Sequence, residues 1–322
     1  MSHTPGAVAN APTSPTRPSV MAAELAARIP IPLRLPERCD GEPIRHLSHS
    51  SCLLWQACPD AWRRRYILRQ RSPQTVAMFL GSRVDDALSD YHRHLLDSGE
   101  QLPLDEVLNR YHTEWSEQLE VEQQRADVIF DEFDQPTAVE IGAAAIKTAL
   151  RDLIPKLGMP VAVQRRAELT LAPGLEWTVE GYLDLETTWP RADGELTSEI
   201  VDYKLKGGNA IGHPQAARDP QASLSLALRW LEGQPADEFT FAQILRPGRK
   251  RQSTSTSLVK TTRTVGQMRA TLARIALAAS QIVACHERFG PDRPWGFADP
   301  TGWKCSERFC AHWAACPGGA GL

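Results

Sequence analysis

"VEGYLDLE", residues 179–186, and "EIVDYKLKGG", residues 199–208, decide how this chain folds. In the second stretch Asp202 and Lys204 lie two apart on a run that predicts a strand, so both side chains point to one face. Apolar Ile200 and Val201 precede them, which places the pair at the end of a strand that enters a core. Asp184 is expected to end the neighbouring strand. Aspartates from two adjacent strands are the hard oxygen ligands that Mg2+ or Mn2+ prefers. Taken alone, Asp-x-Lys is a weak signal, because it also describes a strand end with a surface salt bridge.

The surroundings strengthen it. Val161–Leu171 alternates, and Glu176–Leu185 follows a Pro-Gly turn, so the two read as a hairpin. Ile200–Lys204 is a third strand beyond the polar loop around Asp193-Gly194. Asp219 is a candidate N-cap, Pro220 suits the first helical position, and "QASLSLALRWL" continues as a helix. "EFTFAQILR" and "SLVKTTR" read as two more strands joined by the basic loop 247–256. A long helix over Val265 to Glu287 carries the apolar stripe Met268, Leu272, Ile275, Ala279 and Ile282. Upstream, "HLSHSSCLLWQACPDAWRRRYILRQ" reads as a helix starting near Ser48 or Ser50, and residues 78–97 and most of 103–157 are also helical in pattern. This order predicts one α/β domain with a central mixed sheet and a helical insertion.

The chain has 322 residues, 42% hydrophobic and 23% charged, an ordinary balance for a globular protein. No run is expected to cross a bilayer, and no membrane partner is expected. Residues 1–43 read as a flexible Pro/Ala/Ser-rich leader, not a signal peptide. The expected location is therefore cytoplasmic and reducing, where cysteines more often bind metal than form disulfides. A net charge of −3 excludes a uniformly basic nucleic-acid coat. Two local stretches could still meet phosphates or be solvated faces: Arg63, Arg64, Arg65, Arg69 and Arg71, and Arg246, Arg249, Lys250 and Arg251. There is no GxSxG elbow, HExxH or Walker loop, so the chain is not a helicase by itself. His46, His49, His92, His94 and His112 read as solvated polar faces.

The tail "WKCSERFCAHWAACPGG", residues 303–319, spaces three cysteines as C-x4-C-x5-C, with Pro317 after the last. Zinc and an iron–sulfur cluster are both open on spacing, zinc being the first reading. Cys285 falls on the apolar stripe and reads as a buried thiol. Cys52 reads as core packing beside Trp55, with a rival role as a ligand, and Cys39 is assigned nothing. Trp295 and Trp303 flank the cysteines, either as packing or to stack on an unpaired base.

Together, "GYLDLE", "IVDYK" and "DPQASLSLAL" resemble the G-x-x-D, D/E-x-K and Q-x-x-x-Y motifs of the PD-(D/E)xK nuclease superfamily, in its RecB/Cas4-like branch. "HLSHSSCLLWQACPDAWRRRY" is similar to that branch's entry helix with its Cys-Pro step, and "FLGSRVDDAL" to a helix that normally carries Gly-x-x-x-His. The resemblance implies a restriction-endonuclease-like core at about 159–263. A helical insertion would lie at about 98–158, and a C-terminal helix and cluster-binding tail at 264–322, all within one domain from residue 44.

It implies that Asp184 and Asp202 ligate Mg2+ or Mn2+ with the Tyr203 carbonyl. Lys204 would orient the attacking water, and Gln221 would sit beside the site. It also implies a [4Fe–4S] cluster on Cys58, Cys305, Cys310 and Cys316. The implied substrate is DNA, single-stranded or at duplex ends, and exonuclease action is implied. The implied partners are replication, recombination, repair or CRISPR-adaptation proteins. Two positions depart from the pattern. Asp85, with Asp86 beside it, stands at the family's histidine and can still ligate a hard cation. Ser225 stands at its tyrosine. A non-catalytic DNA-binding or assembly module, and a zinc-stabilised protein of unrelated function, remain as alternatives.

Overall fold

The computed structural model describes residues 29–248, 252–302, 305–307 and 309–319. Residues 1–28 of the expected leader, Arg249, Lys250, Arg251 and Trp303 lie outside the described residues. In chain order the elements begin with β1 (His46–Ser48), α1 (His49–Ala57), α2 (Pro59–Tyr66), β2 (Gln74–Thr75) and α3 (Val76–Ser98). There follow α4 (Leu104–Arg125), β3 (Val128–Ile129), α5 (Gln135–Asp152), β4 (Met159–Leu169), β5 (Thr178–Pro190) and β6 (Leu196–Lys206). Last come α6 (His213–Ala216), α7 (Pro220–Leu231), β7 (Glu238–Leu245), β8 (Ser255–Thr261) and α8 (Val265–Phe289).

The expected hairpin forms, with β4 antiparallel to β5 from Met159 opposite Thr188 to Leu169 opposite Val179. β6 pairs antiparallel with β5 and parallel with β7, and β7 pairs antiparallel with β8. β1 joins the start of β5 in parallel. The product is a mixed six-stranded sheet with helices on both faces.

Helix starts follow their caps. The Ser48, Thr75, Asp134 and Thr264 side chains each accept a backbone N–H of the helix that follows them. Thr264 and Gln267 complete a reciprocal capping box on α8. One core lies between the sheet and α1, α2, α7 and α8, and includes the whole predicted stripe of α8. By length and composition α8 could cross a membrane, contrary to the expectation that no run would, but that stripe is spent on this core. The opposite core lies under α3, α4 and α5. Gly181 lets α7 approach β5, since a Cβ there would stand 2.9 Å from Leu228 Cδ1.

Three expectations need correction. The entry helix is two helices, broken at Cys58, whose φ of −162° and ψ of 105° are extended. Pro59 forces this, because it disfavours helical backbone at the residue before it. Asp184 does not end its strand, since β5 runs on to Pro190. Polar Glu186 and Thr187 stay in the sheet because Arg165 and Glu199 meet them at 2.8 Å and 3.0 Å. Several cations of the basic stretches are also spent on ion pairs, although Arg65 and Arg71 are exposed. Arg63 is buried against Asp60 at 2.7 Å, Arg64 meets the same carboxylate at 2.8 Å, and Arg69 pairs with Asp40. Arg246 holds Glu132 at 2.8 Å and lies over Phe133.

Candidate active site

The β5–β6 ladder runs from Pro190 opposite Leu196 to Leu185 opposite Val201, and stops there. Asp184 and Asp202 are the next residue on each strand, at the fork where the strands part. A splayed strand leaves backbone groups to satisfy, and Asp184 Oδ2 accepts the N–H of Tyr203 at 3.2 Å. Strict alternation of faces also fails here. Leu183 packs in the core under α7 and α8, whereas Leu185 packs in the core under α3 to α5.

Asp202 is only 3% exposed. Lys204 Nζ lies 2.8 Å from its Oδ1 and 2.7 Å from its Oδ2, the second contact being an ion pair without a directed hydrogen bond. Gln221 Nε2 donates to the same Oδ1 at 2.6 Å. Gln221 is delivered by the cap of α7, where Asp219 Oδ1 accepts the N–H groups of Gln221 and Ala222 at 2.8 Å and 3.3 Å. The structure thus gathers Asp184, Asp202, Lys204 and Gln221 at one place.

Asp85 reaches the same fork from α3. Gln164 Nε2 donates to its Oδ2 at 2.9 Å, and its Oδ1 is buried with no hydrogen-bond partner. Burial, then the charges of Asp86 and Asp202, push the Asp85 carboxyl up to about 7. Burial, then Asp202 and Asp85, raise Asp184 well above the ordinary aspartate value. Burial raises Asp202 too, against the pull of Lys204. Burial works against the Lys204 charge, but Asp202 and Asp184 hold its ammonium above the usual lysine value.

Three crowded carboxylates facing this ammonium, with an orphaned oxygen on Asp85, are what a divalent cation would relieve, so the residues fit such an ion in their chemistry. As the side chains stand, no group of three His, Cys, Asp or Glu among the described residues could hold a metal ion.

Several residues here escaped the sequence reading. His92 is not a solvated histidine: it is 1% exposed, and its Nε2 lies 2.7 Å from Tyr203 Oη. His49 is half-buried and electrostatically coupled to Asp219 and Lys204, with burial lowering its basicity first. Buried Gln243 pins the loop after β6 through both backbone groups of Ile211, at 2.5 Å and 3.1 Å. The Arg263 guanidinium donates to Ser223 Oγ and to the Ala216 and Asp219 carbonyls at 2.7, 2.6 and 2.9 Å, which fixes the turn before α7. Ser225 is buried, so no hydroxyl of the tyrosine kind is presented from that position.

At the other end of the chain Cys58, Cys305, Cys310 and Cys316 are all free thiols. Loss of hydration, then the charges of Cys310, Cys58 and Cys316, raise Cys305 above its ordinary value, so these three are its electrostatic neighbours. Cys58 Sγ accepts the N–H of Ala61 at 3.4 Å as the cap of α2. Cys52 is buried as expected, its thiol pushed up to about 12 by burial, while Cys285 is half-buried against the core. Trp295 is buried and packs on Trp55 and Trp62, with centroids 6.2 Å and 5.9 Å away. The donor set of four thiols suits a metal or cluster chemically, although as they stand they too could not hold one.

Residues 46–317 match the PD-(D/E)XK nuclease superfamily, and the chain belongs to it. The mixed sheet flanked by helices is its restriction-endonuclease-like fold. A crystal structure of a candidate exonuclease from Eubacterium rectale superposes with a TM-score of 0.48 at 13% identity, over 81% of this chain and 87% of that one. No curated protein matches significantly.

Proposed function

We propose that this chain is a metal-dependent deoxyribonuclease, an exonuclease on single-stranded DNA or duplex ends. The observation that carries this reading is the meeting of Asp184, Asp202, Lys204 and Gln221 where β5 and β6 part. Asp184, Asp202, the Tyr203 carbonyl and Asp85 would hold Mg2+ or Mn2+, which when bound supplies positive charge against a scissile phosphate. Gln221 fixes the Asp202 carboxylate through Oδ1. Lys204 keeps its proton beside Asp202, so a cation stands ready to orient water and offset charge on the phosphate. The thiols of Cys58, Cys305, Cys310 and Cys316 would carry a [4Fe–4S] cluster that clasps the tail to α2. That set, with Cys-Pro at 58–59, supports the RecB/Cas4-like branch. Its members' roles in replication, recombination, repair or spacer acquisition are the proposed setting.

The test is cleavage of end-labelled single strands and duplexes with Mg2+ or Mn2+, beside Asp202→Asn and Lys204→Ala controls. Products that shorten from an end, and vanish in both controls, are expected. A wild-type chain as inert as the controls would overturn the enzyme reading in favour of a DNA-binding module.

A further inference from the structure

Gln164 sits within β4 at φ +48°, a left-handed backbone that a residue with a Cβ adopts only under constraint. Its neighbours keep their places in the ladder, Val163 opposite Leu185 and Arg165 opposite Leu183, so Gln164 stands level with Asp184. The glutamine side chain crosses to α3, where Nε2 lies 2.9 Å from Asp85 Oδ2 and 3.1 Å from Ser89 Oγ. The amide nitrogen makes both contacts, donating to the carboxylate oxygen and to the hydroxyl. Ser89 lies one helical turn beyond Asp85 and is 3% exposed, which gives the amide a fixed second anchor. Asp85 Oδ1, the other oxygen, is buried and unpartnered. A glycine would hold this backbone without strain, yet the position carries the one side chain that makes both contacts.

We infer that Gln164 is a positioning residue: its amide ties down Asp85 through Oδ2 and keeps Oδ1 free as a third carboxylate oxygen beside Asp184 and Asp202 for a divalent cation. This rests on the reading of those aspartates as cation ligands. The strained backbone is what lets an edge strand reach a carboxylate on the helix above it. With a histidine at position 85 the demand would differ, since a neutral imidazole ligand brings no negative charge to offset.

The experiment uses the full chain, prepared free of metal, with Gln164→Gly and Gln164→Met. Glycine relieves the backbone and removes the amide; methionine keeps the length and the strain but has no donor and adds no charge. Mn2+ affinity by titration calorimetry is expected to fall about 10- to 100-fold in both, as for other groups that orient a metal ligand. The metal-free glycine variant is expected to melt at or above the wild-type temperature. A residue that merely fastened α3 to the sheet would give the reverse: a lower melting temperature with Mn2+ affinity unchanged. Wild-type Mn2+ affinity in either variant overturns the assignment. DNA cleavage by the wild type is scored separately and decides the nuclease reading, so the two can fail independently.

Discussion

The Lys204 ammonium spans both oxygens of the Asp202 carboxylate, 2.8 Å from Oδ1 and 2.7 Å from Oδ2. Removing it as Lys204→Ala leaves Asp202, Asp184 and Asp85 crowded without that positive charge. Two effects should separate. Turnover should fall by about 100- to 1,000-fold, the usual loss when one charge-stabilising donor leaves an active site. Binding of Mn2+ should persist or tighten, because the competing cation is gone. Calorimetry beside cleavage checks both, and loss of Mn2+ binding would mean that Lys204 is structural.

Much of this arrangement was legible from local chemistry. The Asp219 cap, Pro220 and the stripe from Met268 to Ile282 each carry their structure in a few adjacent residues. The Asp202–Lys204 pair followed from strand periodicity, whereas Gln221 beside it was implied by the resemblance to the nuclease superfamily. What was hidden depends on distant partners. His92 looks like any polar helical residue until Tyr203, 111 positions away, closes on it. Glu186 and Thr187 look like a loop because Arg165, which pairs the first, and Glu199, which accepts from the second, come from other strands. Gln164 adopts a glycine-like backbone with no glycine to announce it.

The four free thiols give a prediction about topology. Cys58 lies more than 240 positions before Cys305, yet the two are electrostatic neighbours. Cys58→Ala should therefore remove iron and visible absorbance as completely as Cys310→Ala in anaerobically purified protein. Cys52→Ala should keep both, since that thiol is buried in the core. Colourless wild-type protein with stoichiometric zinc would replace the cluster by a zinc site on the same residues.

Arg263 joins the end of β8 to the turn that launches α7. Its guanidinium donates to the carbonyls of Ala216 and Asp219 and to Ser223 Oγ, as well as to Thr261 Oγ1 and the Thr262 carbonyl. Arg263→Ala should cost about 1.5–3 kcal/mol, the range for lost hydrogen bonds to a charged group. Lysine offers three donors from one point instead of a planar fork, so Arg263→Lys should recover little. Urea unfolding measures both, and a wild-type midpoint for either variant would remove Arg263 from this role.

The buried His92–Tyr203 pair sets a pH signature in the apo protein. Burial lowers His92 from its ordinary value near 6.5 to about 4, so the folded chain holds it neutral. A pKa lower in the folded state means that the unfolded chain binds the proton first. The contribution of His92 is therefore complete above about pH 6.5 and is lost as pH falls towards 4. At the acid end the loss amounts to about 3 kcal/mol. Asp85 works in the opposite sense, since its raised pKa favours the folded state at low pH and that benefit fades as pH rises through about 7. Total stability alone would therefore blur the two. The difference between wild type and His92→Gln isolates the histidine, because glutamine can keep a hydrogen bond to Tyr203 Oη but does not titrate. Urea unfolding at half-unit steps from pH 7 to pH 4 should show the wild type losing its advantage over the variant, whatever offset the packing change adds. A constant difference across that range would mean that His92 is already charged in the fold, or is not buried.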